Sequence, residues 1–211
     1  MTKPLDLSRK TIPPERIAEL AIKDEKLLQA LLQGISPDAK KAAIRENSSK
    51  ALMLVAENWP EVLLPHWSYF VGLLKSSNGF SKYAAIRIIT SLVRVDEKGL
   101  FEKAFDMYYG LLNDESVMVA SHAAGNSGRI AKAKPALQSR ITQRLLAIEK
   151  THFDTGRQDL IKGYVIQALD EYMVEAQDKL RILAFVEGQV NCTSPKTRKL
   201  AKTFLQRWGG K

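Results

Sequence analysis

The side chains best suited to catalysis or metal binding are few and far apart in this sequence. His66, His122 and His152 have no second ligand four residues later, so the spacing that holds a zinc ion on a helix is missing. Cys192 has no histidine at a useful spacing to activate its thiol as a nucleophile. The glycine-rich patterns of nucleotide-binding loops are absent. The sequence therefore predicts a non-enzymatic protein that needs no cofactor and no metal.

Charge is the surface property with the clearest pattern. The chain has 32 Lys and Arg against 23 Asp and Glu, a formal net charge of +9. Three stretches contain no acid, with four basic residues in 62–95, five in 116–148 and six in 188–211. Such an excess favours contact with nucleic acid, acidic proteins or anionic membranes. It is equally consistent with long cationic side chains that only solubilise helices and cover apolar surface.

An internal repeat indicates the elements that carry these charges. A Leu-Leu pair, a lysine and the tetrapeptide Ala-Ala-Ile-Arg occur at residues 31–32, 40 and 42–45, and again 42 residues later at 73–74, 82 and 84–87. A period of about 40 residues, with apolar positions three and four apart, is typical of stacked helix pairs. The sequence therefore predicts an all-α fold built from such pairs.

Local signals set the predicted helix boundaries. Pro14 begins a first helix that runs to Gly34, and Ser36-Pro37 begins a second that ends near Asn58. The third pair begins near Asp96, the fourth at Pro135, and the last helix at Ser194-Pro195. Gly125 and Gly128 lie within a helical stretch, which predicts either a close approach of two helices or a local distortion there.

Residues 1–13 have no helical period and are interpreted as an N-terminal arm. Leu5, Leu7 and Ile12 either dock on the first helix or belong to a frayed terminus. The remaining residues, 14–211, are apolar enough to fold without disulfides, since the whole chain is 45% hydrophobic. A single cysteine and the lack of an apolar run in the first thirty residues favour a cytoplasmic protein.

The repeats resemble those of the HEAT family. That family has an apolar helix ending in Leu-Leu, a turn such as Asn-Asp, and a second helix with a basic residue three before a small one. Residues 111–131 and 194–208 match best, and the basic-then-small spacing falls at Lys40, Lys82 and Arg198. The resemblance implies a right-handed α-α superhelix, an armadillo-like solenoid of about five antiparallel helix pairs over residues 14–211. It also implies a scaffold whose second helices line the concave side.

A weaker resemblance links the chain to helical-repeat DNA alkylation repair proteins. Those glycosylases use aromatic residues and a carboxylate beside a basic groove. Here the closest aromatic cluster is Trp67, Tyr69 and Phe70, and it lies in the acid-free stretch 62–95. The resemblance therefore assigns no catalytic residue.

Two sets of residues follow from aligning the second helices on their small residues. One is expected to form a structural ladder that bonds turn groups of the adjacent repeat: Lys40, Lys82, Arg157 and Arg198. The other is expected to contact a ligand: Arg45, Tyr83, Arg87, Arg94, Arg129, Lys162 and Lys199.

Three functions remain open at this point. The first is a scaffold or adaptor that binds an acidic protein partner through a basic concave face. The second is a nucleic-acid-binding protein that contacts phosphates through the same face, and the third is a helical-repeat DNA glycosylase. No membrane contact and no metal are expected.

Overall fold

The computed structural model of the chain describes residues 5–8 and 12–210, and every regular element among them is helical. The predicted all-α class is therefore confirmed. The chain divides into two compact units, residues 1–104 and 105–211. The single repeat domain expected over residues 14–211 stays a prediction. Most of the arm expected over residues 1–13 lies outside the described residues, although Leu7 is buried and its carbonyl accepts a hydrogen bond from Asn47.

The first unit is organised around two long helices that pack against each other. Its helices are α1 (Pro14–Ala21), α2 (Glu25–Gly34), α3 (Ala42–Asn58), α4 (Pro60–Leu63), α5 (Trp67–Leu73) and α6 (Gly79–Leu92), with 3-10 turns at Leu64–His66 and Val93–Val95. Helix α3 packs against α1, α2 and α6, and α5 packs against α6. Helix α7 (Leu100–Gly110) crosses the boundary between the units.

The second unit is organised around one central helix. Its helices are α8 (Val117–Ala133), α9 (Gln138–Leu146), α10 (Thr155–Tyr172), α11 (Lys179–Glu187) and α12 (Pro195–Trp208), with 3-10 turns at Leu111–Asn113, Pro135–Leu137 and Ile148–Lys150. Helix α10 packs against α8 and α12, and α11 packs against α12. No helix in the described part of the chain is long and apolar enough to span a membrane.

The second helix of each repeat begins at a nearly constant interval. These helices are α3, α6, α8, α10 and α12, and their first residues are 37, 38, 38 and 40 residues apart. These intervals agree with the predicted period of about 40 residues, although the sequence repeat from which it was inferred is offset by 42. Its matching tetrapeptide occupies the first turn of α3 but the second turn of α6.

The first predicted helix, Pro14 to Gly34, is broken in the middle. Helix α1 ends at Ala21, and Asp24 then accepts hydrogen bonds from the backbone N–H groups of Lys26 and Leu27 at 2.9 and 3.2 Å. A short acidic side chain that bonds these orphan donors starts a new helix. The apolar stripe continues through the break, which is why spacing alone missed it.

The start predicted at Ser36-Pro37 is also wrong, because α3 begins at Ala42. Ser194-Pro195 does begin α12, and the Ser194 hydroxyl accepts from the backbone N–H of Thr197 at 3.3 Å. The predicted start near Asp96 is confirmed as well. Its carboxylate accepts from the backbone N–H groups of Leu100 and Phe101, each at 2.9 Å.

Glycines let α10 approach its neighbours on both sides. A Cβ at Gly128 of α8 would lie 2.5 Å from the carbonyl oxygen of Ala168, and one at Gly163 of α10 would lie 2.7 Å from the Thr197 hydroxyl. Both distances are shorter than van der Waals contact, so only glycine fits without a shift of the helices. The close approach predicted from Gly128 is therefore confirmed.

Candidate binding face on the second helices

One side of α8, α10 and α12 carries exposed and half-buried side chains. Within each helix they recur at three- and four-residue spacings or multiples of them, so they lie on one side of that helix. We call this surface the Tyr164 face. It comprises Met118, His122, Arg129 and Lys132 of α8, Leu160, Tyr164, Gln167 and Glu171 of α10, and Lys196, Lys199 and Thr203 of α12.

Tyr164 joins the three helices at the middle of this face. Its ring centroid lies 6.3 Å from that of His122 on α8, and the ammonium of Lys196 on α12 lies 4.7 Å from the same centroid. A cation at that distance over an aromatic ring contributes about 0.5–1 kcal/mol at an exposed site. A Cβ at Gly125 would come within 3.2 Å of the ring, so the absence of a side chain there leaves room for it.

The face is predominantly basic. Arg129, Lys132, Lys196 and Lys199 contribute positive charge, and Glu171 is the acid among its members. Burial and the nearby Asp170 raise the pKa of Glu171, Lys132 and Arg129 lower it, and the net shift is upward. Four cations against one acid give the face a net positive charge.

Apolar surface adjoins the basic groups. Met118 is 44% exposed and Leu160 is 40% exposed, and they are two of the four large hydrophobic residues exposed in the described part of the chain. Leu160 lies one helical turn before Tyr164, and Met118 one turn before His122. The face thus combines an aromatic ring, two apolar side chains and flanking cations.

A cavity of about 380 Å³ opens between α10 and α12, lined by Ile166, Gln167, Asp170, Leu200, Thr203, Phe204 and Arg207. Gln167 and Thr203 also belong to the Tyr164 face, so the cavity adjoins it. Arg207 and the Trp208 indole both donate to the Asp170 carboxylate at 2.7 Å. These donors compensate the one acid in the cavity wall.

The predicted ligand-contacting residues are divided between the two units. Arg129 and Lys199 lie on the Tyr164 face, whereas Tyr83, Arg87 and Arg94 lie on α6 or the 3-10 turn after it, in the first unit. Arg94 donates to the carbonyl oxygen of Glu57 at 2.6 Å and to that of Ser91 at 3.1 Å. Its guanidinium therefore caps the carboxyl end of α3, where a cation also opposes the helix dipole.

Lys162 does not reach a surface where a ligand could bind. Its side chain is 8% exposed, and its ammonium lies 3.2 Å from the Asp159 carboxylate and 2.8 Å from that of Glu149. Burial lowers the pKa of Lys162, but the two carboxylates raise it by more. Lys162 is thus a buried ion-pair partner, and its predicted role in ligand contact is wrong.

Arg45 also has a structural role, and its predicted ligand contact stays a prediction. Its guanidinium donates to the carbonyl oxygens of Ala39 and Lys40 at 2.6 and 3.3 Å. Arg198 makes the same contacts in the last repeat, to the carbonyl oxygens of Cys192 and Thr193 at 2.8 and 3.0 Å. Both arginines are the fourth residue of their helix and hold the turn that precedes it.

Two members of the predicted structural ladder, Arg157 and Arg198, make contacts within their own repeat. Arg198 bonds its own turn and not that of the adjacent repeat. Arg157 pairs with Asp154 at 3.4 Å, and both side chains are 63% exposed. Lys40 is exposed, Lys82 is half-buried, and Lys82 occupies the position in α6 that Arg45 occupies in α3.

Five residues of the face were not predicted from the sequence: Tyr164, His122, Lys196, Met118 and Leu160. Their signal was the three- and four-residue spacing of side chains opposite the buried stripe of each second helix. The alignment on Ala-Ala-Ile-Arg obscured it, because that alignment assigned ligand contact to the column of Lys162. Among the described residues, no three His, Cys, Asp or Glu side chains come together in a way that could hold a metal ion.

Comparison with known proteins identifies the fold class. The chain is similar to the designed armadillo repeat protein YIII(Dq)4CqI, with a TM-score of 0.53, 15% sequence identity, and coverage of 92% of this chain and 90% of that one. No protein-family model and no curated protein matches the sequence. The predicted helical-repeat, armadillo-like class is therefore confirmed, and at this identity the likeness is one of fold alone.

Proposed function

We propose that this chain is a non-enzymatic helical-repeat scaffold that binds an acidic segment of a protein partner on the Tyr164 face. The observation that carries the proposal is the position of Tyr164, half-buried between α8 and α12 with a lysine over its ring and the exposed Leu160 one turn away. Tyrosine is enriched at protein interfaces because its ring is apolar and its hydroxyl can stay hydrated.

The charge of the face favours an acidic segment. Lys132, Lys196 and Lys199 would pair with carboxylates of the partner, and exposed pairs of this kind contribute about 0.2–1 kcal/mol each while they also accelerate association. Met118 and Leu160 would receive an apolar side chain that lies between the acids. We therefore expect the preferred partner segment to alternate acidic and large apolar residues.

The second candidate is single-stranded nucleic acid bound to the same face. An aromatic ring flanked by cations suits stacking of a base with phosphate contacts on either side. The exposed Met118 and Leu160 favour the peptide, because it offers apolar side chains to cover them. The two candidates differ in salt dependence, because each neutralised phosphate steepens the fall of affinity with salt.

The test is a pair of binding titrations by fluorescence anisotropy with the full chain. One probe is a labelled peptide of about ten residues that alternates Asp or Glu with Leu, and the other is a labelled oligothymidylate of about 20 nucleotides. We expect the peptide to bind more tightly, and Lys196→Glu with Lys199→Glu to weaken it at least about tenfold, or 1.4 kcal/mol.

The matched control reverses two lysines outside the face, Lys98 and Lys150, which are also exposed. This control has the same net charge as the test variant, so both variants lose the same long-range attraction. Because the control keeps the local contacts of the face, it should lose less than about threefold in affinity. Tighter binding of the oligothymidylate would favour the second candidate. Equal losses in the two variants would reject the Tyr164 face as the binding site.

A further inference from the structure

The last repeat exposes an apolar residue between two cations. Leu180 on the first turn of α11 is 83% exposed, the highest value among the large hydrophobic residues of the described chain. Lys179 and Arg181 on either side of it are exposed too, and Arg181 is held by Asp178 at 3.3 Å. We call these three residues the Leu180 ridge.

The ridge contrasts with the exposed side of α12, which carries Lys199, Lys202 and Gln206. A single exposed leucine is common on protein surfaces and implies no partner by itself. What distinguishes Leu180 is that another surface of the chain matches both its apolar side chain and its flanking cations.

The first unit contains a cavity with complementary chemistry. Its volume is about 480 Å³, and it lies between α1 and α3, lined by Glu15, Ala18, Glu19, Leu54, Asn58 and Trp59. Ala18, Leu54 and the Trp59 ring supply an apolar floor. Glu15 and Glu19 are exposed at its edge, one helical turn apart, and Glu19 already accepts a hydrogen bond from Arg16 at 3.1 Å.

We propose that copies of this chain associate head to tail, with the Leu180 ridge of one copy inserted into the α1–α3 cavity of the next. The Leu180 side chain would contact Ala18, Leu54 and Trp59, and Lys179 and Arg181 would face Glu15 and Glu19. A second copy is the occupant we choose because both complementary surfaces belong to this chain. The acidic edge of the cavity disfavours anionic partners such as nucleic acid or lipid headgroups.

The proposed contact is heterologous, since the two surfaces differ, and it therefore makes a specific prediction about mixtures. A chain that has lost the ridge still has a cavity, and a chain that has lost the cavity still has a ridge. Each variant alone has one usable surface and cannot pair with itself. Mixed together, the two variants can form one contact, which stops at a dimer.

The experiment measures mass against concentration by sedimentation velocity on the full-length chain. The ridge variant is Leu180→Glu, the cavity variant is Glu15→Lys with Glu19→Lys, and circular dichroism checks that both are folded. The control for the ridge variant is Gln143→Glu, an exposed position on α9 that changes the charge by the same amount. We expect the wild type and the control to form species larger than a monomer at about 100 μM, and each test variant to weaken association at least about tenfold.

An equimolar mixture of the two folded variants should produce a 1:1 dimer and nothing larger. High salt should weaken it, because the ion pairs at the edge of the cavity are exposed. A wild type that stays monomeric at the highest concentration overturns the proposal. Association that survives Leu180→Glu, or folded variants that fail to form the mixed dimer, overturns it too.

Discussion

We expect Lys162→Ala to destabilise the chain by about 3 kcal/mol, because removing one partner of a buried ion pair leaves the other charge uncompensated. The side chains of Lys162 and Asp159 are 8% and 4% exposed, and their charged atoms are 3.2 Å apart. The substitution would leave the Asp159 carboxylate buried between α10 and the turn before α12. The substitution should therefore weaken the packing of α10 against α12.

The magnitude lies at the low end of the usual range of about 3–5 kcal/mol for two reasons. Asp159 keeps two hydrogen bonds from the backbone N–H and hydroxyl of Thr193, at 2.7 and 2.8 Å. The second partner of Lys162, Glu149, is 60% exposed, so water screens that pair and its loss costs little.

The assay is urea unfolding followed by circular dichroism, with Lys150→Ala as the matched control. Lys150 is exposed at the end of the 3-10 turn that also contains Glu149, so its loss should change the free energy of unfolding by less than about 0.5 kcal/mol. If the chain unfolds in one transition, Lys162→Ala should also lower Tm by about 6–12 °C.

A double-mutant cycle separates the pair from the packing around it. Asp159→Asn and Lys162→Ala together should cost less than the sum of the two single substitutions. Lys162→Ala leaves the Asp159 carboxylate without its cation, and Asp159→Asn removes that negative charge. A cost below about 0.5 kcal/mol for Lys162→Ala alone, or fully additive costs in the cycle, would refute the buried ion pair as a stabilising junction.

Three further outcomes follow from the contacts. Burial raises the pKa of Asp159, but hydrogen bonds from Thr193 and Lys162 lower it by more, to below its ordinary value of 3.8. The stability that Asp159 contributes is thus present above that value and lost as pH falls through the lower folded pKa, so the gap in unfolding free energy between wild type and Asp159→Asn should close only below about pH 4. Gly128→Ala should cost about 1–3 kcal/mol by urea unfolding, since the new methyl group would overlap the Ala168 carbonyl, whereas Gly72→Ala, where nothing lies within 4 Å, should not destabilise. Arg94→Ala should cost about 1 kcal/mol in the same assay, because it removes the hydrogen bond to the carbonyl at the end of α3, and an unchanged midpoint would contradict that role.

The fold class was predictable because apolar periodicity reports which face of a helix is buried. The breaks between helices were harder to predict, because a single capping carboxylate or hydroxyl can determine where a helix begins. Asp24 divides a continuous apolar stripe into two helices, while Ser36, which has the sequence of a cap, starts none. Capping depends on backbone geometry that a residue type alone does not specify.

The candidate site was only partly predictable, for a physical reason that concerns charge. Lys162 and Lys199 are the same residue type in second helices, yet one is buried against two carboxylates and the other is exposed. The acids that pair with Lys162 come from the same helix and from the preceding turn. Sequence spacing does not show whether a lysine pairs with such acids or extends into water. Tyr164 was not predicted as a binding residue because its contacts are with His122 of α8 and Lys196 of α12. Only the packing of α10 between these helices brings the three side chains together.

The most direct measurement of the central proposal is an NMR titration of the isotope-labelled full chain with the acidic-apolar peptide. We predict that amide shifts concentrate around Leu160 and Tyr164 of α10, around His122 and Gly125 of α8, and around Lys196 and Lys199 of α12. Tyr164→Ala should reduce these shifts, while circular dichroism shows that the variant stays folded. Shifts that concentrate on α3 and α6 of the first unit, or a titration that Tyr164→Ala leaves unchanged, would contradict the proposal.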